Sequence, residues 1–311
     1  MKDKRVVFMG TPEFSVPVLE MLIEKCNVVL VVSQPDSFVG RKKELKFSAV
    51  KEVAVKNGIP VFQPNKIRED YNAVIDANPD IIITCAYGQI IPKILLDYPK
   101  YGAVNVHASL LPKYRGGSPI HRCIMNGDDK TGITIMYMAP GMDDGDIIAQ
   151  SEISIDFCDN VGIVHDKLSV LGSEFLYEIL PDIFSGNASR VKQDESLVSF
   201  AYNIKREEER LDFNDSVINV YNKVRGLYPF PGAYFMIDGE VIKVSDARIS
   251  EELYDGEIGK IVSFFDDGFG VRCADGVIVI TRLKPAGKKE MSCRDYINGK
   301  RKENLLGKKL C

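Results

Sequence analysis

No stretch of this chain is long and apolar. Lys2, Lys4 and Arg5 open it, and the short apolar run behind them stops at Gly10 and Pro12. A membrane-spanning helix needs roughly 20 apolar residues, so neither a span nor a secretory leader is expected. The seven cysteines, at 26, 85, 123, 158, 273, 293 and 311, form no Cys-x-x-Cys pair, and their number is odd. That argues against a disulfide framework and against a zinc site. Several lie in apolar runs, where free Cys acts as a small hydrophobe, and a reducing cytoplasm fits them. The first predicted turn has one glycine, Gly10, in place of Gly-x-Gly-x-x-Gly, so the dinucleotide fingerprint is missing. No internal repeat or low-complexity segment stands out, and no obligate protein partner is evident.

What is there begins with size and charge. The 311 residues give room for two domains, and 45% apolar content is enough for ordinary cores. A net charge of -4 does not advertise a nucleic-acid binder. The charge is uneven, however. Residues 281–311 hold ten Lys/Arg against Glu290, Asp295 and Glu303, so this tail carries +7 and the rest of the chain -11. Such asymmetry fits a polyanionic partner for one end; a solvated basic face is the plainer reading.

Continuous apolar runs at 6–9, 28–32, 59–62 and 81–84 alternate with segments of helical period, the first carrying Val16, Leu19, Leu22 and Ile23. This is the grammar of a parallel sheet covered on both faces. Further helices are expected at 47–57 and 161–184, and a hairpin at 133–155 whose connection is 139–146. Residues 185–210 are polar and read as a linker. Beyond a short helix at 214–225, Asp238-Gly239, Asp267-Gly268 and Asp275-Gly276 each separate strand-like runs. Asp-Gly is a favoured hairpin turn, and repeated hairpins predict a small barrel, plausibly of the oligonucleotide-binding (OB-like) kind.

The chain is organised around Asn105-Val106-His107-Ala108-Ser109-Leu110-Leu111-Pro112-Lys113-Tyr114-Arg115-Gly116. Asn105 and His107 end an apolar run and stand two apart, so a strand would point both to one face. Pro112 and Gly116-Gly117 then force a loop. The acidic loop of Asp143, Asp144 and Asp146 can bring a carboxylate to His107. Its spacing lacks the calcium-loop pattern, so metal binding is not expected. An amide donor, a group that titrates near neutrality and a carboxylate are parts of an active site. They are equally compatible with a structural pair at a strand end, and the residues alone leave both readings standing.

This stretch resembles the signature of the folate-dependent formyltransferases: Asn-x-His, Ser-Leu-Leu-Pro, Arg-Gly, and an Asp-x-Gly-Asp loop matched by Asp143 to Asp146. The likeness runs from Phe8-Met9-Gly10-Thr11-Pro12-Glu13-Phe14 to Leu283-Lys284-Pro285-Ala286-Gly287-Lys288-Lys289. It implies an α/β fold: a Rossmann-like, mostly parallel sheet domain at 1–189, a linker at 190–206, and a C-terminal tRNA-binding β-barrel at 207–311. The implied donor is 10-formyltetrahydrofolate, and the implied acceptor is the amine of initiator methionyl-tRNA. Asn105 and His107 would stabilise the oxyanion, and Asp143 would hold the imidazole and relay a proton. Tyr87, Gly88, Gln89, Ile90 and Ile91 would hold folate, with Ser109, Leu110, Leu111 and Pro112 shaping its pocket. Arg41, Lys42 and Lys43, on a polar loop, would meet the acceptor stem, although Glu44 departs from a purely basic loop. Lys288, Lys289, Arg301 and Lys302 are the candidate phosphate contacts of the tail. His121 and His165 fall in predicted helices and are assigned no chemistry. A relative acting on a phosphoribosyl amine or a nucleotide sugar, and a folate- or RNA-binding protein without catalysis, are the competing readings.

Overall fold

A computed structural model of the chain describes residues 1–39 and 44–311. They form two compact units: Met1–Pro119, Thr131–Ile153 and His165–Tyr202 make the first, and Ile120–Lys130, Ser154–Val164 and Asn203–Cys311 the second. The stretch expected as a linker, 190–206, is divided between them, belonging to the first unit as far as Tyr202.

In chain order the elements through residue 185 are β1 (Arg5–Gly10), α1 (Val16–Lys25), β2 (Asn27–Val32), β3 (Ser37–Val39), β4 (Glu44–Lys46), α2 (Ala49–Lys56), β5 (Val61–Phe62), α3 (Asn72–Asp76), β6 (Ile81–Cys85), α4 (Lys93–Asp97), β7 (Ala103–His107), α5 (Pro119–Met125), β8 (Lys130–Tyr137), β9 (Ile147–Ser154) and α6 (Val161–Ser185). The expected helix at 47–57 starts at Ala49 because Ser48 caps it, its side chain accepting from Lys51 N–H. The central sheet has the order β5-β2-β1-β6-β7-β8-β9. Its first five strands are parallel, and β8 runs antiparallel to β7. β6 is buried at every position, as a two-sided parallel sheet requires of the run Ile-Ile-Ile-Thr-Cys. The chain moves outward from β1 to β2 and β5, then returns to lay β6 on the other side of β1. That reversal opens a crevice beyond Gly10 and Cys85, the place where open α/β sheets take ligands.

The second unit continues with α7 (Val217–Leu227), β10 (Tyr234–Ile237), β11 (Glu240–Ile249), β12 (Ile261–Phe264), β13 (Phe269–Arg272), β14 (Val277–Pro285), β15 (Met291–Ser292) and α8 (Cys293–Lys300). All three Asp-Gly pairs stand at hairpin turns, and Asp238 and Gly239 both take positive φ, +50° and +80°. The antiparallel order is β10-β11-β14-β13-β12, with β15 on β14. Register breaks along β11 curl the sheet around Phe235, Phe269, Val271, Ile278 and Ile280, which are fully buried. The end of the chain closes the curl. Ile261 of the β12 edge exchanges backbone bonds with Gly307 and Lys308, and Met236 of the β10 edge does so with Cys311. No described helix is long and apolar enough to cross a membrane. Cys26, Cys85, Cys123, Cys273 and Cys293 are free and buried, and burial pushes the Cys85, Cys273 and Cys293 thiols up to about 12.

Two features of the first unit yield tests of stability. Lys51 Nζ joins Asp36 Oδ2 at 2.5 Å and Gln63 Oε1 at 2.7 Å. Burial pushes the Asp36 carboxyl up, but hydrogen bonds from Lys51 and Gln63 outweigh it and hold the group below its ordinary value of 3.8. A depressed folded value means stabilisation that is present above pH 3.8 and lost as pH falls through the folded value. Asp36→Asn should cost about 1–2 kcal/mol near neutrality, and the gap to wild type should shrink below about pH 4 in urea titrations. A gap independent of pH would show that the pair's charge is irrelevant. The second feature is Tyr87, whose side chain packs with Ile67, Val74, Ile91 and Leu95. Its buried hydroxyl has no partner among the described residues, and burial pushes its pKa up to about 12. Tyr87→Phe should therefore raise stability by about 1 kcal/mol; a lower denaturation midpoint would mean that the hydroxyl is satisfied after all.

Candidate active site

His107 ends β7 and Asn105 lies two residues before it, so the pleat puts both side chains on one face. The register sets Thr84 of β6 beside Asn105. Thr84 Oγ1 donates to Asn105 Oδ1 at 2.7 Å. With its oxygen engaged, the amide turns Nδ2 toward Asp143, 3.5 Å from Oδ1.

His107 is buried. Its Nε2 lies 3.0 Å from the carbonyl oxygen of Tyr114. A carbonyl can only accept, so Nε2 carries a proton. Nδ1 is left facing Asp143, with Oδ2 3.7 Å away. That gap exceeds a hydrogen bond, as catalytic contacts often do before substrate tightens them.

Asp143 reaches this position from the β8–β9 connection, and its own φ is +50°. Gly116 N–H donates to Oδ2 at 2.9 Å. Gly116 must be glycine: its φ is +121°, and a Cβ would stand 2.9 Å from the Ala201 carbonyl oxygen. Gln193 braces the loop from below, donating from Nε2 to the carbonyls of Asp143 at 2.7 Å and Gly145 at 2.9 Å. The Gln193 oxygen in turn accepts from Arg115 Nε at 2.9 Å, and Arg115 also pairs with Glu195. The Arg-Gly of the sequence signature thus acts by structure, its guanidinium reaching the brace and its glycine the carboxylate.

Thr84, Gln193 and the Tyr114 carbonyl were not among the residues singled out from sequence. A threonine in an all-buried strand was one available signal. Gln193 gave none, because it sits in a polar stretch that reads as linker.

Of the expected folate residues, Tyr87 to Ile91 follow the end of β6 and Ser109 to Pro112 follow the end of β7, and their side chains divide. Gly88 has φ +86°, and a Cβ there would meet only Gln34 Nε2, at 3.4 Å, so a flat ring can approach its backbone. Ile90 is 76% exposed, an apolar side chain left open at the rim. Tyr87 and Ile91 point into the core instead. Gln89 is spent on the protein, its oxygen accepting from Ile67 N–H at 2.7 Å. Gln34 bonds to the Tyr87 carbonyl and to Gln89 at 3.1 Å each, tying β2 to the β6 turn. Ser109 Oγ donates to the Lys113 carbonyl at 2.7 Å, holding the loop. Leu111 is buried while Leu110 and Pro112 are half-buried; Gln150 bonds to the Leu111 carbonyl at 2.8 Å.

The remaining candidates are elsewhere. Arg41, Lys42 and Lys43 lie outside the described residues. Lys288, Lys289, Arg301 and Lys302 are exposed and make no ion pair among the described residues. His121 donates to the Phe230 carbonyl at 3.1 Å, and His165 packs edge-on to Phe14.

Residues 4–180 match the family model described as formyl transferase, and residues 203–301 match that of the formyl transferase C-terminal domain. The chain is 49% identical over 299 residues to the methionyl-tRNA formyltransferase of Bacillus licheniformis, covering 95% of each. Two solved structures share the fold. An N-formyltransferase from Helicobacter canadensis, in complex with folinic acid and dTDP-3-aminofucose, gives a TM-score of 0.69 at 19% identity, over 90% of this chain and 99% of that one. Methionyl-tRNA formyltransferase from Clostridium thermocellum gives 0.56 at 18% identity, over 79% and 94%. With a family model over more than half its length and a relative of such identity along nearly all of it, the chain belongs to the formyltransferase family.

Proposed function

We infer that this chain transfers a formyl group to the free amine of methionyl-tRNA, with 10-formyltetrahydrofolate as donor. The observation that carries the reading is the meeting of Asn105, His107 and Asp143 at the C-terminal end of β7, in a chain 49% identical to a methionyl-tRNA formyltransferase. The donor arrives already activated, so no Ser or Cys nucleophile is needed.

The acceptor amine must attack as the neutral base. A C–N bond forms to the formyl carbon, the bond from that carbon to N10 breaks, and the proton lost by the amine ends on N10. Charge builds on the formyl oxygen during the transfer, and the Asn105 amide, turned outward by Thr84, donates to it. His107 Nε2–H is committed to Tyr114, so proton traffic runs through Nδ1 and the Asp143 carboxylate beside it. Asp143 takes the amine proton and hands it to His107 Nδ1, which passes it to N10, so both groups return to their starting state. Gly88 and Ile90 give the folate ring a flat approach and an apolar wall. The catalytic domain takes in 190–202 as well as the expected 1–189, and the barrel at 207–311 receives tRNA. Arg41, Lys42 and Lys43 meet the acceptor stem.

The direct test supplies 10-formyltetrahydrofolate with charged initiator or elongator methionyl-tRNA. N-formylmethionine on the initiator is expected; its absence from both would overturn the reading. His107→Ala and Asp143→Asn should each lower kcat by about a hundredfold or more and leave folate affinity nearly unchanged. Wild-type turnover in either variant would remove that residue from the mechanism. Neutralising Lys288, Lys289, Arg301 and Lys302 together should weaken tRNA binding and flatten its salt dependence by about one counterion per lost phosphate contact. Coincident salt plots for the fourfold variant and wild type would leave these cations as a solvated face.

A further inference from the structure

Phe200 and Tyr202 are aromatic residues that folding leaves outside, 49% and 59% exposed. They flank Ala201, which is fully buried, so an extended backbone turns both rings to the same side. The rings are parallel within 7°, with centroids 5.5 Å apart. The pair is fixed from beneath. Arg115 N–H donates to the Ser199 carbonyl at 2.9 Å, Ala201 N–H to the Arg115 carbonyl at 2.7 Å, and Ser118 N–H to the Ala201 carbonyl at 2.9 Å. The next residue after Arg115 is Gly116, whose N–H holds the Asp143 carboxylate. One loop therefore anchors the aromatic pair on one side and the acidic group of the site on the other. Met142 continues the apolar surface between them: it is 52% exposed, and its sulfur would lie 3.4 Å from a Cβ at Gly116.

We propose that Phe200 and Tyr202 form a stacking platform for the unpaired bases at the 3′ end of the acceptor RNA. This rests on the reading of the acceptor as an aminoacyl-tRNA. The reacting amine must come to Asn105, His107 and Asp143, and a single ester joins its carboxyl carbon to the terminal ribose. Bond lengths alone keep the terminal base within about 10 Å of the amine. Such a base is single-stranded, and its faces are open. Parallel rings extended by another flat ring satisfy both partners, and every base offers a π-face, so the contact is insensitive to sequence. A rigid platform also loses little entropy on binding.

The test replaces the terminal base of methionyl-tRNA with the fluorescent analogue 2-aminopurine. Wild type should quench it on binding. The double variant Phe200→Leu/Tyr202→Leu keeps apolar bulk and loses both π-faces. It should lose most of the quenching and raise KM for methionyl-tRNA by about 5- to 150-fold, as stacking of about 1–3 kcal/mol per base predicts. The exchange Phe200→Tyr/Tyr202→Phe keeps the rings and should restore both readouts. Thermal melts check that each variant is folded, and the single leucine variants serve if the double is not. Undiminished quenching and wild-type KM in a folded leucine variant would overturn the platform, as would loss only on a protein partner and not on the RNA. Failure of the acceptor reading looks different: wild type then formylates no methionyl-tRNA, whatever the fluorophore reports.

Discussion

The hydrogen bond from Gly116 N–H to the Asp143 carboxylate joins residues 27 apart in sequence, and most of the local structure serves it. A bond from an N–H to a charged acceptor contributes about 1.5–3 kcal/mol, enough to offset the left-handed backbone at Asp143, which costs about 1–3 kcal/mol. Gly116 has to lack a side chain because the Ala201 carbonyl crowds it, and Gly145 because a Cβ there would stand 1.9 Å from the Tyr137 carbonyl oxygen. Gln193 then fixes the carbonyls of Asp143 and Gly145. The carboxylate is consequently held by the Gly116 N–H and its loop by the Gln193 side chain, while the imidazole opposite is positioned by the Tyr114 carbonyl.

The sheet explains why two halves of the reaction can meet. Its reversal between β1 and β6 opens the crevice, and β7 is the next strand along. Gly88 follows the end of β6 and His107 ends β7, so the two stand at the same end of neighbouring parallel strands, where open α/β sheets take ligands. Gln34 links the ends of β2 and β6 across the crevice floor. The helices are placed by the same logic: Ser169 and Ser173 of α6 donate to the Phe14 and Pro17 carbonyls at 2.8 Å, seating a long helix against the start of α1 with small polar residues.

Periodicity made the fold legible. The continuous apolar runs became the parallel strands, and each Asp-Gly became a hairpin, because both signals are local. The Asn105/His107 pairing was legible for the same reason, a two-residue period. Contacts that depend on distant segments were not. The 190–206 stretch is polar and has no period, yet residues 193–201 wall the site, because they are ordered by the Arg115 backbone and not by an apolar face of their own. Folate candidates chosen by position in the motif include Tyr87 and Ile91, whose side chains point into the core. A strand-to-helix turn alternates in and out, and sequence alone did not fix its phase. Closure of the barrel by Gly307, Lys308 and Cys311 was equally hidden, since the basic tail advertises charge and conceals its role as a seam.

That seam changes what the tail's charge can do. Of its ten cations, Arg282 is paired with Glu290, which the +7 already counts, whereas Lys300 and Lys308 are paired with Glu240 and Asp238 from outside the tail. Such exposed pairs contribute little to stability, but they lower the charge available to a polyanion. Lys308 and Lys309 also belong to the closing segment, where backbone pairing fixes their positions. The field at this end is therefore weaker than +7 implies. Long-range attraction of that size is sequence-blind and screened within about 10 Å in ordinary salt, so it can gather RNA but cannot set the terminal nucleotide to within an ångström of Asp143. On the proposed reading, placement of the reacting amine comes from short-range contacts on rigid backbone beside the Asp143 carboxylate. The exposed pair Phe200 and Tyr202, anchored through Ser199 and Ala201 to the backbone of Arg115 and Ser118, has the stiffness for that task.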